Sequence, residues 1–336
     1  MGTFWVKQKT TMFRELPGRS WRSLGVSAGI GTVLLVIAWP IFNLVKNRTR
    51  WAEYFGQYVY PKLTAFFSSF WGIFPFSAAE FLFYGCVLGG ACWAFAVVIQ
   101  ILGKGYLCYR LLSLLLSTGL IACSIWASFC YGWGILYQRE PLANRLALTV
   151  RASSSEDLSE LCAFLIAEKN ALRITLSEDE SGCCSPEMRK EELLITLPVL
   201  YNGLEGLDFL GGDSWCPPKS VSLSRQMRQR EIVGICIWMT TEPNVNTDIP
   251  ATTVVFNALH KIAHQRGYAR EDKANYLAYL ACMYSEDDDI LYSGMLSALV
   301  HTMNKLYETD SGRYRTLREH IAMSLTGIFS GKQPAV

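Results

Sequence analysis

Three stretches of the chain carry no charged side chain: Ser23–Val45, Phe81–Gly103 and Leu111–Gln138. They are bounded by Arg22 and Lys46, Glu80 and Lys104, and Arg110 and Arg139. Each exceeds the roughly 20 apolar residues that cross a hydrocarbon core about 30 Å thick. Pro40 in the first and Gly89-Gly90 in the second are compatible with membrane helices, whose backbone tolerates both. The pattern predicts an α-helical membrane anchor of three transmembrane helices over residues 23–138. A short N-terminal segment (1–22) precedes it and a larger domain (139–336) follows.

Beyond Arg139 the pattern becomes periodic. Ser153-Ser154-Ser155 before Glu156 and Asp157 is a helix start, and Leu158, Leu161, Leu165 and Ile166 continue it as an apolar stripe to about Ala171. Ser177–Lys190 reads as an exposed loop. Glu191–Leu210 reads as helix broken near Pro198, and Gly211-Gly212-Asp213 with Pro217-Pro218 marks a turn. Ile232–Trp238 is β-branched and apolar, hence a strand. Thr241–Pro250 is polar and irregular. Helices are expected over Thr252–Gln265, ended by Gly267 as a C-cap, then over Arg270–Tyr284 and Ile290–Tyr307. The fold class is therefore the membrane anchor joined to a mainly helical α+β domain.

Composition agrees with an anchored protein: 51% hydrophobic and only 18% charged residues, with a formal net charge of +2. Neither this balance nor the scattered basic residues offer a nucleic-acid surface. Lys7, Lys9, Arg14, Arg19 and Arg22 before the first stretch favour a cytoplasmic N-terminus. Three spans then put the domain after Arg139 outside the cytoplasm, as a multi-pass protein of the lipid bilayer. The first stretch is longer than a signal-peptide core and lacks a small-residue cleavage site, so it reads as an uncleaved anchor. No ionisable side chain lies within a span, which argues against a transporter. Cys162, Cys183, Cys184, Cys216, Cys236 and Cys282 fall in the outer region, where free thiols and disulfides are equally open.

The candidate chemistry lies in Asn257-Ala258-Leu259-His260-Lys261-Ile262-Ala263-His264-Gln265-Arg266-Gly267. Residues four apart on a helix lie one above the other, so His260 and His264 can grip one zinc ion, as in the H-E-x-x-H signature. A catalytic zinc needs a third protein ligand. Glu271 is the best candidate, with Asp272 the alternative, and Asn275 one turn on could orient the Glu271 carboxylate by a hydrogen bond. Lys261 stands where that signature has its general-base glutamate, and an ammonium cannot take a proton from water. His301 is expected packed in an apolar helix and His320 solvated. Glu286-Asp287-Asp288-Asp289 lacks the spacing of a calcium loop and reads as a helix N-cap.

The residues His260 to Gly267, then Glu271-Asp272-Lys273-Ala274-Asn275 and an aromatic-rich helix, resemble the bacterial membrane-protein family called domain of unknown function 3810. Its members carry H-E-x-A-H-Q-R-G followed by E-D-E-A-N. The likeness takes in Asn244-Val245-Asn246, Pro218-Lys219, Pro75-Phe76-Ser77 and Pro141-Leu142-Ala143. It implies a zincin-like metallopeptidase domain behind three membrane helices in the bacterial cell membrane, with His260, His264 and Glu271 as zinc ligands. Lys261 and Lys273 depart from it, each replacing an acid, and members continue past Phe329. The expected function is a zinc-metallopeptidase-like hydrolase that is weak or inactive, acting on a peptide or protein substrate. The other reading is a non-catalytic receptor or scaffold that binds peptides or a membrane-protein partner through the former cleft.

Overall fold

The computed structural model describes residues 48–102, 107–178, 184, 188–204, 207, 216–319 and 321, with scattered positions between 26 and 43. The first predicted span and the region of His320 and Phe329 lie for the most part outside these residues. The chain divides into two compact units: one takes in Phe81–Arg139 and the residues up to Glu53, the other Tyr54–Glu80 and everything from Glu140 on.

The first unit is built around α3 (Ala78–Leu102) and α4 (Leu107–Gly132). Both are long and apolar enough to cross a membrane. Their side chains point outward: Leu88, Phe95 and Leu115 are each about two-thirds exposed (67%, 67% and 70%). Arg139, which ends the unit, is buried against Glu53 at 2.9 Å.

The second unit begins with a helical arm. Part of α1 (Thr49–Tyr54) leads through a π-helical turn, Phe55–Val59, into α2 (Tyr60–Trp71). After the spans come α5 (Leu142–Arg145), α6 (Ser155–Arg173), α7 (Lys190–Thr196) and a 3-10 turn, Leu197–Gly203, whose second residue is Pro198. The expected cap is present: Ser154 accepts from the Asp157 amide while the Asp157 carboxylate accepts from the Ser154 amide.

Three short strands follow, β1 (Lys219–Ser220), β2 (Gly234–Cys236) and β3 (Pro243–Val245), with the five-residue α8 (Ser224–Arg228) between the first two. The order is β1-β3-β2, with β1 parallel and β2 antiparallel to β3, pairing Lys219 with Asn244 and Ile235 with Asn244. The strand expected over Ile232–Trp238 is thus only three residues long. The stretch expected to be irregular, Thr241–Pro250, supplies the central strand.

The core is helical. In α9 (Ala251–Gln265), Ala258, Leu259, Ile262 and Ala263 are fully buried. They pack with Ala274, Leu277, Ala278 and Ala281 of α10 (Glu271–Met283) and with Leu193, Leu197 and Tyr201. Alanines on both facing helices let the backbones approach closely. A second cluster joins Cys162, Leu165 and Ile166 of α6 to Leu299, Met303 and Leu306 of α11 (Asp288–Thr309). Asp287 caps α11 by accepting from the Asp289 and Ile290 amides, as the N-cap reading of the acidic run required. A last helix, α12 (Ser311–Arg318), was not foreshadowed by the hydrophobic pattern. His301 is exposed on α11 rather than packed, because the buried stripe of that helix runs through Leu296, Leu299, Met303 and Leu306. Cys162, Cys184, Cys216, Cys236 and Cys282 are free thiols, as are Cys86, Cys92, Cys123 and Cys130.

Candidate metal centre

Helix α9 ends in a Schellman turn. The Gly267 amide donates to the His264 carbonyl at 2.9 Å and the Tyr268 amide to the Ala263 carbonyl at 3.2 Å, with Gly267 at φ 90°. That left-handed residue is why glycine stands there. The turn reverses the chain so that α10 starts beside the end of α9 and its first residue, Glu271, faces the two histidines.

The three side chains meet. His260 Nε2 lies 3.0 Å from Glu271 Oε2, and His264 Nε2 lies 3.3 Å from Glu271 Oε1. Their ligand atoms all fall within 4.8 Å of one another. The imidazoles are buried (5% and 3% exposed), whereas the Glu271 side chain is 71% exposed, so the cluster opens on the carboxylate side. Asp272 turns away to pair with Arg270 at 3.0 Å. Asn275 is half-buried, and no described hydrogen bond joins it to Glu271.

Protonation gives the cluster its character. Burial pulls the His260 pKa down, helped by the charges of Lys261 and His264 and opposed by the hydrogen bond to Glu271. Hydrogen bonds from His260, then His264, hold the Glu271 carboxyl far below the usual range. His264 Nδ1 lies 2.7 Å from the Tyr268 carbonyl, which can only accept. In a neutral ring the proton therefore sits on Nδ1, and the Nε2 lone pair faces a carboxylate oxygen. Two acceptors 3.3 Å apart are reconciled either by a second ring proton, giving an ion pair, or by a cation between them. Two donors on a tetrahedral zinc at about 2.0–2.1 Å stand roughly 3.3 Å apart, so the imidazole and carboxylate donors suit the ion in kind and the two His–Glu271 separations are near that spacing.

Lys261 lies against β2: a Cβ on Gly234 would come within 3.2 Å of its Cε. The same Cβ would meet the Asn244 carbonyl of β3 at 2.8 Å, so glycine at 234 is required first by the neighbouring strand and only then by the lysine packed above it. Burial lowers the Lys261 pKa, while the Glu271 charge opposes the shift. The neighbouring motif residues hold the helix in place. Gln265 Nε2 donates to the Cys216 carbonyl at 3.0 Å and contacts Ser68 Oγ at 3.4 Å. Arg266 donates to the Pro198 carbonyl and stacks on Tyr201, whose hydroxyl donates to the Leu259 carbonyl. Lys273 donates to the Glu140 carbonyl at 2.8 Å. Sequence reasoning missed the Tyr268 carbonyl and Gly234. The adjacency of Tyr268 to the glycine turn could have suggested the former, but nothing local points to the latter.

One cavity of about 450 Å³ lies elsewhere, lined among others by Leu148, Leu204, Leu207, Tyr276 and Leu280. It contains none of the cluster residues.

Residues 55–327 match one family over most of the chain, the cluster included. The chain belongs to the family described as Protein of unknown function (DUF3810). Membership confirms the family named from the His260–Asn275 motif. No curated protein and no solved structure matches the chain.

Proposed function

We propose that this chain is a membrane-anchored, zinc-metallopeptidase-like protein in which Lys261 has replaced the general base. The observation that carries the reading is the convergence of His260 Nε2 and His264 Nε2 on the Glu271 carboxylate. His260, His264 and Glu271 would hold the ion, with the Tyr268 carbonyl fixing the His264 tautomer. A zinc ion bound there supplies a Lewis acid and an activated water. The chain lacks the group that would accept the proton: Lys261 occupies that position, and its ammonium repels a dication. Hydrolysis is therefore weak or absent, and the substrate class is a peptide or protein. The reading extends to three membrane helices in a bacterial cell membrane, with the domain after Arg139 extracytoplasmic and zincin-like. The two long apolar helices α3 and α4 support that placement.

The test is the zinc content of the full-length protein and of Lys261→Glu, His260→Ala and Lys261→Glu/His260→Ala, with cleavage of a casein-type substrate. We expect stoichiometric zinc and measurable cleavage in Lys261→Glu, and loss of both once His260→Ala is added. Failure of Lys261→Glu to bind zinc with His260, His264 and Glu271 intact would sink the metal reading. Zinc binding by Lys261→Glu without cleavage would favour the non-catalytic scaffold, which the lost base makes the leading second reading.

A further inference from the structure

Helix α2 is polar where it meets the protein and aromatic where it faces out. Its buried stripe is Tyr60, Thr64 and Ser68, none more than 3% exposed. Thr64 Oγ1 donates to the Tyr60 carbonyl at 2.9 Å, and Ser68 Oγ meets Gln265 of α9. Its outward stripe is Leu63, Phe66 and Phe70, at 43%, 70% and 50% exposure, continued past the helix end by Ile73 at 75%. At about 100° per residue those three helical positions fall within an arc of roughly 60°. Exposed Lys62 and Ser69 stand at the edge of that arc. A surface helix in water carries the opposite pattern, and an apolar patch of this kind marks a contact with something else.

Two observations identify the occupant. The chain runs from Ile73 into α3 at Ala78, the start of a helix long and apolar enough to cross a membrane. Phenylalanine and leucine flanked by a lysine are also the composition of the boundary between headgroups and acyl chains. We propose that α2 lies flat in the bilayer surface, with Leu63, Phe66, Phe70 and Ile73 among the outer acyl segments and Lys62 at the lipid phosphates. The placement rests on the reading of α3 as a membrane span.

The inward side of α2 is fastened to the domain. Lys219 Nζ donates to the Trp71 carbonyl at 2.7 Å and the Phe76 carbonyl at 3.1 Å. Gln265, which contacts Ser68, directly follows His264. The end of the metal-site helix therefore stands on the back of the membrane-lying helix.

The test uses the full-length chain with benzoylphenylalanine at position 66 or 70, in vesicles of phosphatidylethanolamine and phosphatidylglycerol. Irradiation is followed by mass spectrometry of the adducts. Position 88 in α3 reports on the span, and position 307 on α11 reports on an exposed aromatic away from α2. Lipid adducts are expected at 66, 70 and 88, with yields at 66 and 70 at least about tenfold above position 307. Lipid at 88 together with cross-links to a second copy or to another segment at 66 and 70 would overturn the proposal, as would no adduct at 66 and 70. Absence of lipid at 88 overturns the span, and with it the placement that rests on it.

Discussion

Two buried lysines of the second unit show how differently one side chain can be housed. Lys219 on β1 is 8% exposed and uses all three of its donors, on the Trp71 and Phe76 carbonyls and on Glu242 Oε1 at 2.5 Å. Glu242, fully buried, accepts the Ala79 amide at 3.1 Å through its other oxygen. Lys169 on α6 is fully buried too, yet its Nζ has no hydrogen-bond partner among the described residues. Near it stand the Arg173 guanidinium on its own helix and the Cys184 thiol, which burial keeps protonated. Burial is common to both sites, so it does not decide the outcome. The supply of acceptors does: the sheet floor is arranged around a cation, whereas the α6–α11 layer endures one.

The comparison breaks most sharply at the floor. Lys219→Met strands the Glu242 charge and two carbonyls and is expected to cost about 3–5 kcal/mol, read as a large drop in the thermal midpoint of the protein in detergent. Lys219→Met/Glu242→Leu removes both charges and should recover most of that loss. If the double variant is as unstable as the single one, the pair is not the floor's main support.

Lys169→Met should act in the opposite direction. Burial, chiefly, lowers the Lys169 pKa from 10.5 to about 8, which corresponds to roughly 3 kcal/mol at most. Below pH 8 the lysine is protonated in both folded and unfolded chains, and the fold carries the full burial penalty. Between about pH 8 and 10.5 the folded chain releases the proton first, so stability rises with pH. Lys169→Met should be more stable at pH 7 and should flatten that rise. A destabilised variant at pH 7 would mean that the ammonium is well solvated in place. The smallest effect is expected at the other end of α6, where Ser154→Ala removes one side of the capping box and should cost about 1 kcal/mol. Amide exchange confined to the first turn of α6 would register it.

Much of this architecture was legible in the sequence where the signal is local. The Ser154–Asp157 box, the Asp287 cap and the glycine after Arg266 mark helix ends with side-chain chemistry, and each stands where its residues predict. His260, His264 and Glu271 could be grouped because helix periodicity and one glycine turn suffice to bring them near. Of the strands only β2 could be read, from the β-branched run Ile232–Trp238, since β1 and β3, two and three residues long, carry no alternation. Helix α2 was hidden because its apolar stripe faces outward, so the usual rule for a soluble helix places it backwards. The Lys219–Glu242 pair joins residues on two strands through the register β1–β3, which no short window contains. The expectation of a packed His301 failed for a related reason: an apolar neighbourhood in sequence does not say which side of the helix a residue takes.

The turn at Gly267 has a consequence for how this protein can vary. The histidines belong to one helix and the carboxylate to the next, and only the link between them sets their phase. A residue added or removed between Gly267 and Glu271 would leave His260, His264 and Glu271 in the sequence and both helices folded, yet rotate Glu271 off the imidazoles. The length of that link is as much a part of the His–Glu cluster as the side chains themselves. A relative that keeps the two histidines and the glutamate but differs in length there has kept the letters of the motif and lost its geometry.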